Sequence, residues 1–444
     1  MAERAATMRI GSKDTRGWKA TVSVAMSNYI EAGSIIAIAT SLSLWQDRFG
    51  VDDFAVGLLA ALSANAFGAA IGAVVGGPLC DRYGRKFIYT YDLLLYMLGV
   101  LLAAGAVSYG MLLAGFLVTG LAVGAGVPAS WTYIAEEAPP EQRAKRVGAA
   151  QLAWSMGPVV GFLLAVVLTG PLGLLGSRLI FLHLFVVAFV VWYIRQGLSE
   201  STLWKASKEK SSAGPRDGLR ELFSRRPNVR ALLFLFGIYG FWGVVAGQMG
   251  IFMPRVYESS GVESAAQQNL LQVLMWTVTV LSTYFGFMKY GDRINRRLLY
   301  TIGAALAVVA WVLLVFVHAT LPVLLLFAVC WGVSAGIGAQ AFYAVWTSEL
   351  FATQYRAGAQ GVLFFAARVA IGLLSYYFPT MLDEQGVPAV GLVMIGLLVL
   401  ALVIGAIWAP RTQGRTLEEI EAERYGEILS TPLTEEDRSV RAAP

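Results

Sequence analysis

The sequence predicts an all-α membrane protein whose twelve transmembrane helices form two pseudo-symmetric six-helix bundles. Three observations carry that expectation: a composition too apolar for water, twelve apolar runs of spanning length, and an internal repeat that relates the halves. Hydrophobic residues make up 57% of the 444 and charged residues only 14%, with a mean hydropathy of +0.62; a soluble domain carries roughly a quarter charged residues. A helix crosses a hydrocarbon core of about 30 Å with about 20 apolar residues, and runs of that length fill the chain from residue 20 to residue 409.

The first six runs read as 20–45, 54–77, 88–108, 111–135, 147–169 and 177–196, parted by turns rich in Gly, Pro or charge. Residues 197–227 then turn hydrophilic, with Lys205, Lys208, Lys210, Arg216, Arg220, Arg225 and Arg226, and read as a cytoplasmic linker. The second bundle, 228–409, reads as 228–253, 265–288, 298–318, 321–347, 357–380 and 388–409. From Pro410 the tail is charged, and Leu417-Glu-Glu-Ile420 predicts a short surface helix. Residues Met1 to Lys19 lack the apolar core and small-residue cleavage site of a secretory signal, so the first span is expected to stay in the protein.

The pI near 9.1 does not point to nucleic acid, because the basic residues are scattered over short loops. They read instead as topology signals. With both termini cytoplasmic, the outer loops hold only Arg48, Arg178 and Arg255, while Arg368 lies inside an apolar run. This predicts a multi-pass protein of a plasma membrane or bacterial inner membrane, expected as a monomer in the lipid bilayer. Cys80 and Cys330 fall at different depths, so neither a disulfide nor a metal is expected. No cofactor is implied either, and no phosphate-binding loop of the P-loop type is present.

The repeat is visible in the loops. Gly77-x3-Asp81-Arg82-x-Gly84-Arg85-Lys86 returns, worn, as Tyr290-Gly-Asp292-Arg293-Ile-Asn-Arg296-Arg297. Asp81 and Asp292 lie 211 residues apart, Arg143 and Arg356 lie 213 apart, and Tyr133-x2-Glu136-x2-Pro139-x3-Arg143 is echoed by Trp346-x2-Glu349-x2-Ala352-x3-Arg356. Paired bundles of this kind are the signature of a transporter. The small residues Gly120, Gly124 and Gly126, and Gly332, Gly336 and Gly338, mark surfaces that either pack statically or slide during a transport cycle.

These motifs resemble the major facilitator superfamily, within it the sugar porter and organic ion transporter branch. The basic loop is similar to that family's inner-loop signature, Glu136-x2-Pro139-x3-Arg143 to its motif after the fourth span, and Pro410-Arg-Thr-Gln-Gly414-Arg-Thr-Leu417-Glu-Glu-Ile420 to the sugar porter tail. The resemblance implies that Asp81, Arg82, Arg85 and Arg143 clamp the inner ends of the bundles, with Glu136, Asp292, Arg293, Glu349 and Arg356 in the same network. Met288 and Asn295 replace glycines of the second copy, so its clamp is expected to be weaker. Ser199-Glu200-Ser201 resembles the family's Pro-Glu-Ser-Pro motif loosely.

Charges within spans cost about 2.5–3.5 kcal/mol on insertion scales and therefore mark function. Glu31 shares one face of the first span, roughly 80° wide, with Ser23, Ser27, Ser34 and Ser41, and that face is expected to line a cavity. Glu31-Ala-Gly33 is similar to the place where proton-coupled sugar porters keep Asp, then Gly two residues on, so Glu31 is expected to carry the proton. Phe116 stands where the family's partner arginine would be. Arg368 stands where sugar porters keep a tryptophan. Its planar fork suits a carboxylate, sulfonate or phosphate, or else it pairs with Glu31 across the bundle interface.

Gln151 matches the fifth-span glutamine of sugar porters, but Phe241, Trp242, Gly247 and Ala344 replace other hexose contacts. Gln340, Tyr343 and Thr347 share a face of the tenth span and, with Trp242, Gln248 and Tyr29, are expected to bind a small organic solute. His183 and His318 read as structural. The expected function is secondary transport by alternating access: proton symport of an organic anion or acidic sugar derivative, or instead of a neutral sugar or polyol. An efflux antiporter and a non-transporting nutrient sensor are the remaining alternatives. An enzyme is not expected, since no nucleophile, base and orienting group share a site.

Overall fold

The computed structural model describes residues 2–138, 142–197, 200 and 215–426, with side chains throughout except at 2–19, 81, 128, 135–137, 215–219, 353 and 354. The expected gate residues Asp81 and Glu136, Pro139 of the fourth-span motif, most of the linker and the end of the tail lie outside that description. Among the described residues eleven helical stretches are long and apolar enough to cross a membrane: Ala20–Ala39, Asp53–Cys80, Arg85–Ala104, Tyr109–Ile134, Arg143–Leu172, Leu174–Arg195, Arg226–Ser259, Ala265–Met288, Arg296–Phe316, Leu321–Leu350 and Tyr355–Trp408. The last is two helices meeting at Gly386, whose φ of 75° is readily adopted only by glycine. The chain therefore crosses twelve times, and the spans are numbered first to twelfth below.

Helix is the only local structure that satisfies every backbone amide of such runs in lipid without a closed barrel. The ends are set by polar caps: Asp52 accepts from the N–H of Ala55 at 2.9 Å, Ser108 from Met111 at 3.3 Å, and Asn295 from Arg297 and Leu298 at 2.9 and 3.3 Å. Between the second and third spans the reversal falls on Gly84, at φ 99°. Glu200 caps the third span, accepting from the N–H groups of Arg85 and Lys86 at 3.0 Å each, which favours a carboxylate at a helix start. The tail helix, Leu417–Tyr425, carries the expected capping box at Thr416 and Glu419. It is held to the start of the seventh span by Arg424 on the carbonyl of Pro227 (2.8 Å) and Tyr425 on Asn228 Oδ1 (2.5 Å).

Four spans are less regular than their apolar runs imply, among them the eighth, with a π turn at Ser282–Met288. The second is interrupted between Leu62 and Phe67, where the Ser63 hydroxyl donates to Ala60 O (2.7 Å) and accepts from Asn65 N (3.1 Å). The seventh contains a π turn at Phe236–Gly240, and the tenth breaks at Gly338. Asn65, in the break of the second span, and Tyr239, in the π turn of the seventh, line a chamber in the middle of the molecule.

The glycine-rich faces of the fourth and tenth spans pack inside their own bundles, as static packing requires. A Cβ on Gly124 would fall 2.0 Å from Ala69 O in the second span, and one on Gly336 would fall 2.8 Å from Thr279 O in the eighth. The same helix pair thus meets through the same device in each half. Across the bundles the second and eleventh spans touch along their length: a Cβ on Gly57 would meet Tyr376 O at 2.8 Å, and one on Gly361 would meet Ala73 O at 2.7 Å. Replacing Gly124 or Gly336 by Val should overpack these seams and cost about 1–3 kcal/mol each, read as a lowered melting temperature in detergent. Gly396→Val, with nothing within 4 Å of its Cβ position, should leave the melting temperature unchanged.

Candidate functional site

Midway along the spans, one ion pair joins the two bundles. Glu31 of the first span and Arg368 of the eleventh form a salt bridge in which both side chains are at most 5% exposed. Three further groups fix its geometry. Trp154 Nε1, from the fifth span, donates to Glu31 Oε2 at 3.1 Å. Asn65, in the break of the second span, takes Arg368 Nη1 on its backbone O (2.9 Å) and on Oδ1 (3.1 Å). Phe364 lies under the guanidinium, 4.4 Å from ring centroid to Cζ. The break in the second span matters because it frees a backbone carbonyl at membrane depth, where unbonded carbonyls are otherwise excluded. Asn65 Nδ2 in turn donates to Gly247 O of the seventh span at 3.0 Å, so one residue ties three spans from both bundles.

Beside this pair lies a chamber of about 20 Å³, lined by Arg368, Asn65, Trp154, Tyr239, Trp242 and Gln340 among others. That volume admits a water and not an organic solute, so its walls must part for a solute to enter. Arg368 faces the chamber, and Glu31 lies behind it.

The expected solute residues divide into two groups. Trp242 and Gln340 line the chamber; Gln340 has no hydrogen bond among the described residues, and the buried Trp242 Nε1 has no partner. Tyr343 stands one layer behind, stacked on Tyr239 at 4.0 Å, with Thr347 bonded to its carbonyl (2.6 Å). Gln151 bridges the bundles through Ala335 O at 3.4 Å. Gln248 is engaged by Ile371 O and Ser375 (both 3.1 Å), which ties the seventh span to the eleventh. Tyr29 turns away from the chamber to His183 Nε2, at 3.0 Å.

The serine face of the first span also turns away from the chamber, contrary to the expectation. Ser27 accepts from Arg195 (2.9 Å), Ser34 bonds Tyr96 (2.7 Å) and Ser41 bonds Ser177 (2.7 Å), all within the first bundle. Hydroxyls at membrane depth find partners on the helices beside them. Glu31, at the edge of that face, is the member that reaches the other bundle.

The end of the molecule that carries the basic loops is closed by charge. Glu349 accepts from Arg143 of the first bundle (3.0 Å) and from Arg296 of the second (2.8 Å), and Arg296 also binds Asp292 (2.9 Å). Asp292 reaches across to the N–H of Lys145 (3.3 Å). Arg296, passed over in the sequence reading, occupies the centre of this network, because it lies one helical turn from Asp292; Arg293 is exposed. Arg85 and Arg356 are buried, on Cys80 O (3.3 Å) and Phe351 O (3.2 Å). Arg82 is exposed, over the ring of Tyr83 at 5.0 Å. At the far end Arg255 binds Asp53 (3.2 Å) and Gln46 (2.8 Å), again between bundles. Among the described residues both ends of the interface are thus bridged between the bundles.

A buried charge stripped of its partner costs about 3–5 kcal/mol, whereas replacing both partners by apolar groups is often neutral. Glu31→Leu and Arg368→Met singly should therefore lower the thermal stability strongly, and the double variant should recover most of the loss. A double variant as unstable as the sum of the singles would show that the two side chains do not act as a pair.

Comparisons with known proteins agree with this architecture. The family model described as Major Facilitator Superfamily matches residues 20–286, and that of Sugar (and other) transporter matches residues 200–423. The Minor myo-inositol transporter IolF of Bacillus subtilis is 42% identical over 92% of this chain and 94% of its own. The Glucose transporter GlcP of Staphylococcus epidermidis is 24% identical over 82% and 87%. Among solved structures, the proton:xylose symporter XylE of E. coli superposes with a TM-score of 0.77 at 19% identity, covering 92% of this chain and 99% of that one. The motifs, the twelve crossings and the paired bundles have one explanation: this chain belongs to the Major Facilitator Superfamily, as a transporter of the sugar type.

Proposed function

We propose that the protein is a proton-coupled symporter of a neutral, multiply hydroxylated solute, a cyclitol or sugar, and that myo-inositol is the first solute to test. The observation that carries this reading is the buried Glu31–Arg368 pair beside the chamber. With Glu31 ionised, the forward N–H of Arg368 is held by the carboxylate. A proton on Glu31 cancels that charge and releases Arg368 Nη2 to a solute hydroxyl in the chamber, while Nη1 keeps Asn65. The proton thus precedes the solute, and neither travels with the site at rest in the other's absence. Trp242, Trp154 and Tyr239 supply flat walls, and the unengaged amide of Gln340 and indole N–H of Trp242 supply orienting hydrogen bonds.

The 42% identical relative named for myo-inositol supports the neutral solute. The same geometry favours a second reading, an organic anion or acidic sugar, since protonated Glu31 leaves a bare guanidinium facing the chamber. The basic loops support a topology with both termini in the cytoplasm, in which the Arg143–Glu349–Arg296 network serves as the inner gate and Arg255–Asp53 as the outer one.

Uptake into liposomes, with and without an inwardly directed proton gradient, should show gradient-driven accumulation of myo-inositol. Glu31→Gln should abolish accumulation while leaving exchange of internal for external solute. Arg368→Ala should lose a charge-assisted hydrogen bond of about 1.5–3 kcal/mol, roughly ten- to a hundredfold in solute affinity. Wild-type uptake indifferent to the gradient would overturn the coupling. Competition by a sugar acid far stronger than by its alcohol, and lost in Arg368→Ala, would replace the neutral solute by the anion.

A further inference from the structure

A second buried carboxylate stands away from the chamber, inside the first bundle. Asp92, in the third span, is 7% exposed. Its carboxylate rests against the fourth span at Gly126, where a Cβ would fall 2.1 Å from Oδ2. Its hydrogen bond among the described residues is to the N–H of Leu93, at 2.6 Å. A small cavity of about 10 Å³ adjoins it, lined by Ser27, Tyr96, Val123, Gly126 and Val127 among others.

Arg195 ends the sixth span nearby, 2% exposed. Its Nε and Nη2 donate to Ser23 O (3.1 and 2.9 Å), and Nη2 also to Val24 O and Ser27 Oγ (2.9 Å each). The guanidinium lies over the Tyr89 ring at 5.0 Å. Its Nη1 is buried without a partner among the described residues. Asp92 and Arg195 are close enough to act on each other electrostatically, yet no ion pair joins them among the described residues. Both ends of a salt bridge are present, and the bridge is not made.

A carboxylate in such surroundings needs either a cation in contact or a proton. The other titratable and charged groups on this side are Tyr89, Tyr96 and Arg85 on its own span, Tyr133 of the fourth, edge-on to Tyr89 at 5.8 Å, and Cys80 of the second; the first span presents the hydroxyl of Ser27. Among them Arg195 offers a cationic N–H, Nη1, that has no partner among the described residues. We infer that Asp92 is a proton-binding site separate from Glu31, at which the proton and the free Nη1–H of Arg195 compete for one carboxylate. With the proton bound, Asp92 and Arg195 Nη1 stay unbridged, as observed, between the packed third and sixth spans. With the proton lost, Asp92 takes Arg195 Nη1 and ties the third span to the sixth and to the foot of the first. Because Arg195 ends its span at the basic end, this site reads the pH of that side.

The test is infrared titration of the protonated carboxyl stretch in the full-length protein, in a Glu31→Gln background so that Glu31 is silent. A band that disappears as the pH rises from about 5 to about 9, and that is missing after Asp92→Asn, is the expected result. An identical titration with and without Asp92→Asn overturns the proposal. Should Asp92→Asn not fold, Arg195→Gln decides: loss of the competing cation moves the midpoint up by about one pH unit or more, a tenfold gain in proton affinity, and an unmoved or lowered midpoint overturns the proposal. The band is independent of transport, so a failure of coupling at Glu31 leaves this result intact.

Discussion

The contact on which the rest depends is the salt bridge between Glu31 and Arg368. It is made by side chains from opposite bundles, at a depth where neither charge is tolerated alone. Every neighbour that the fold supplies serves to hold it: Trp154 on the carboxylate, Asn65 and Phe364 on the guanidinium. The interrupted second span exists in the right place to free the Asn65 carbonyl, and the amide of the same residue continues to the seventh span. Loss of charge on Glu31 would remove a bond between the two bundles, which is what the proposed coupling asks of this site.

Around that centre the interface is arranged in layers. Backbone contact through Gly57 and Gly361 lets the second and eleventh spans lie close enough for short bridges to form. Charged closures then stand at each end, Glu349 between Arg143 and Arg296 at one, Asp53 with Arg255 at the other. Inside each bundle the packing is of another kind, small residues against backbone carbonyls, suited to rigid bodies that move against each other. The two halves repeat this device at Gly124 and Gly336, while their basic loops have diverged.

Much of this was legible in the sequence because length and hydropathy decide it. Runs of about 20 apolar residues, the Asp81 and Asp292 loops and the positions of Glu31 and Arg368 gave twelve spans, two halves and both ends of the central bridge. Interruptions within spans were not legible: Ser63 to Ala66 lies inside the apolar run 54–77 and carries no Pro or Gly to mark a break, and the importance of Asn65 depends on what faces it. Helical spacing groups side chains on a face without saying which neighbour that face meets. Ser27, Ser34 and Tyr29 were for that reason expected at the cavity, and the structure turns them to the third and sixth spans. Arg296 was missed because the repeat drew attention to Arg293, although the four-residue spacing from Asp292 was the better guide to an ion pair.

In the proposed coupling the Glu31 carboxylate and the solute compete for one arginine, and a proton on Glu31 decides for the solute. The most direct measurement is the proton uptake of purified protein in weakly buffered detergent solution when myo-inositol is added. The account predicts that solute binding draws protons onto the wild-type protein and that Glu31→Gln binds solute without drawing any. Solute binding that leaves the pH unchanged in the wild type, or proton uptake that survives Glu31→Gln, would contradict it.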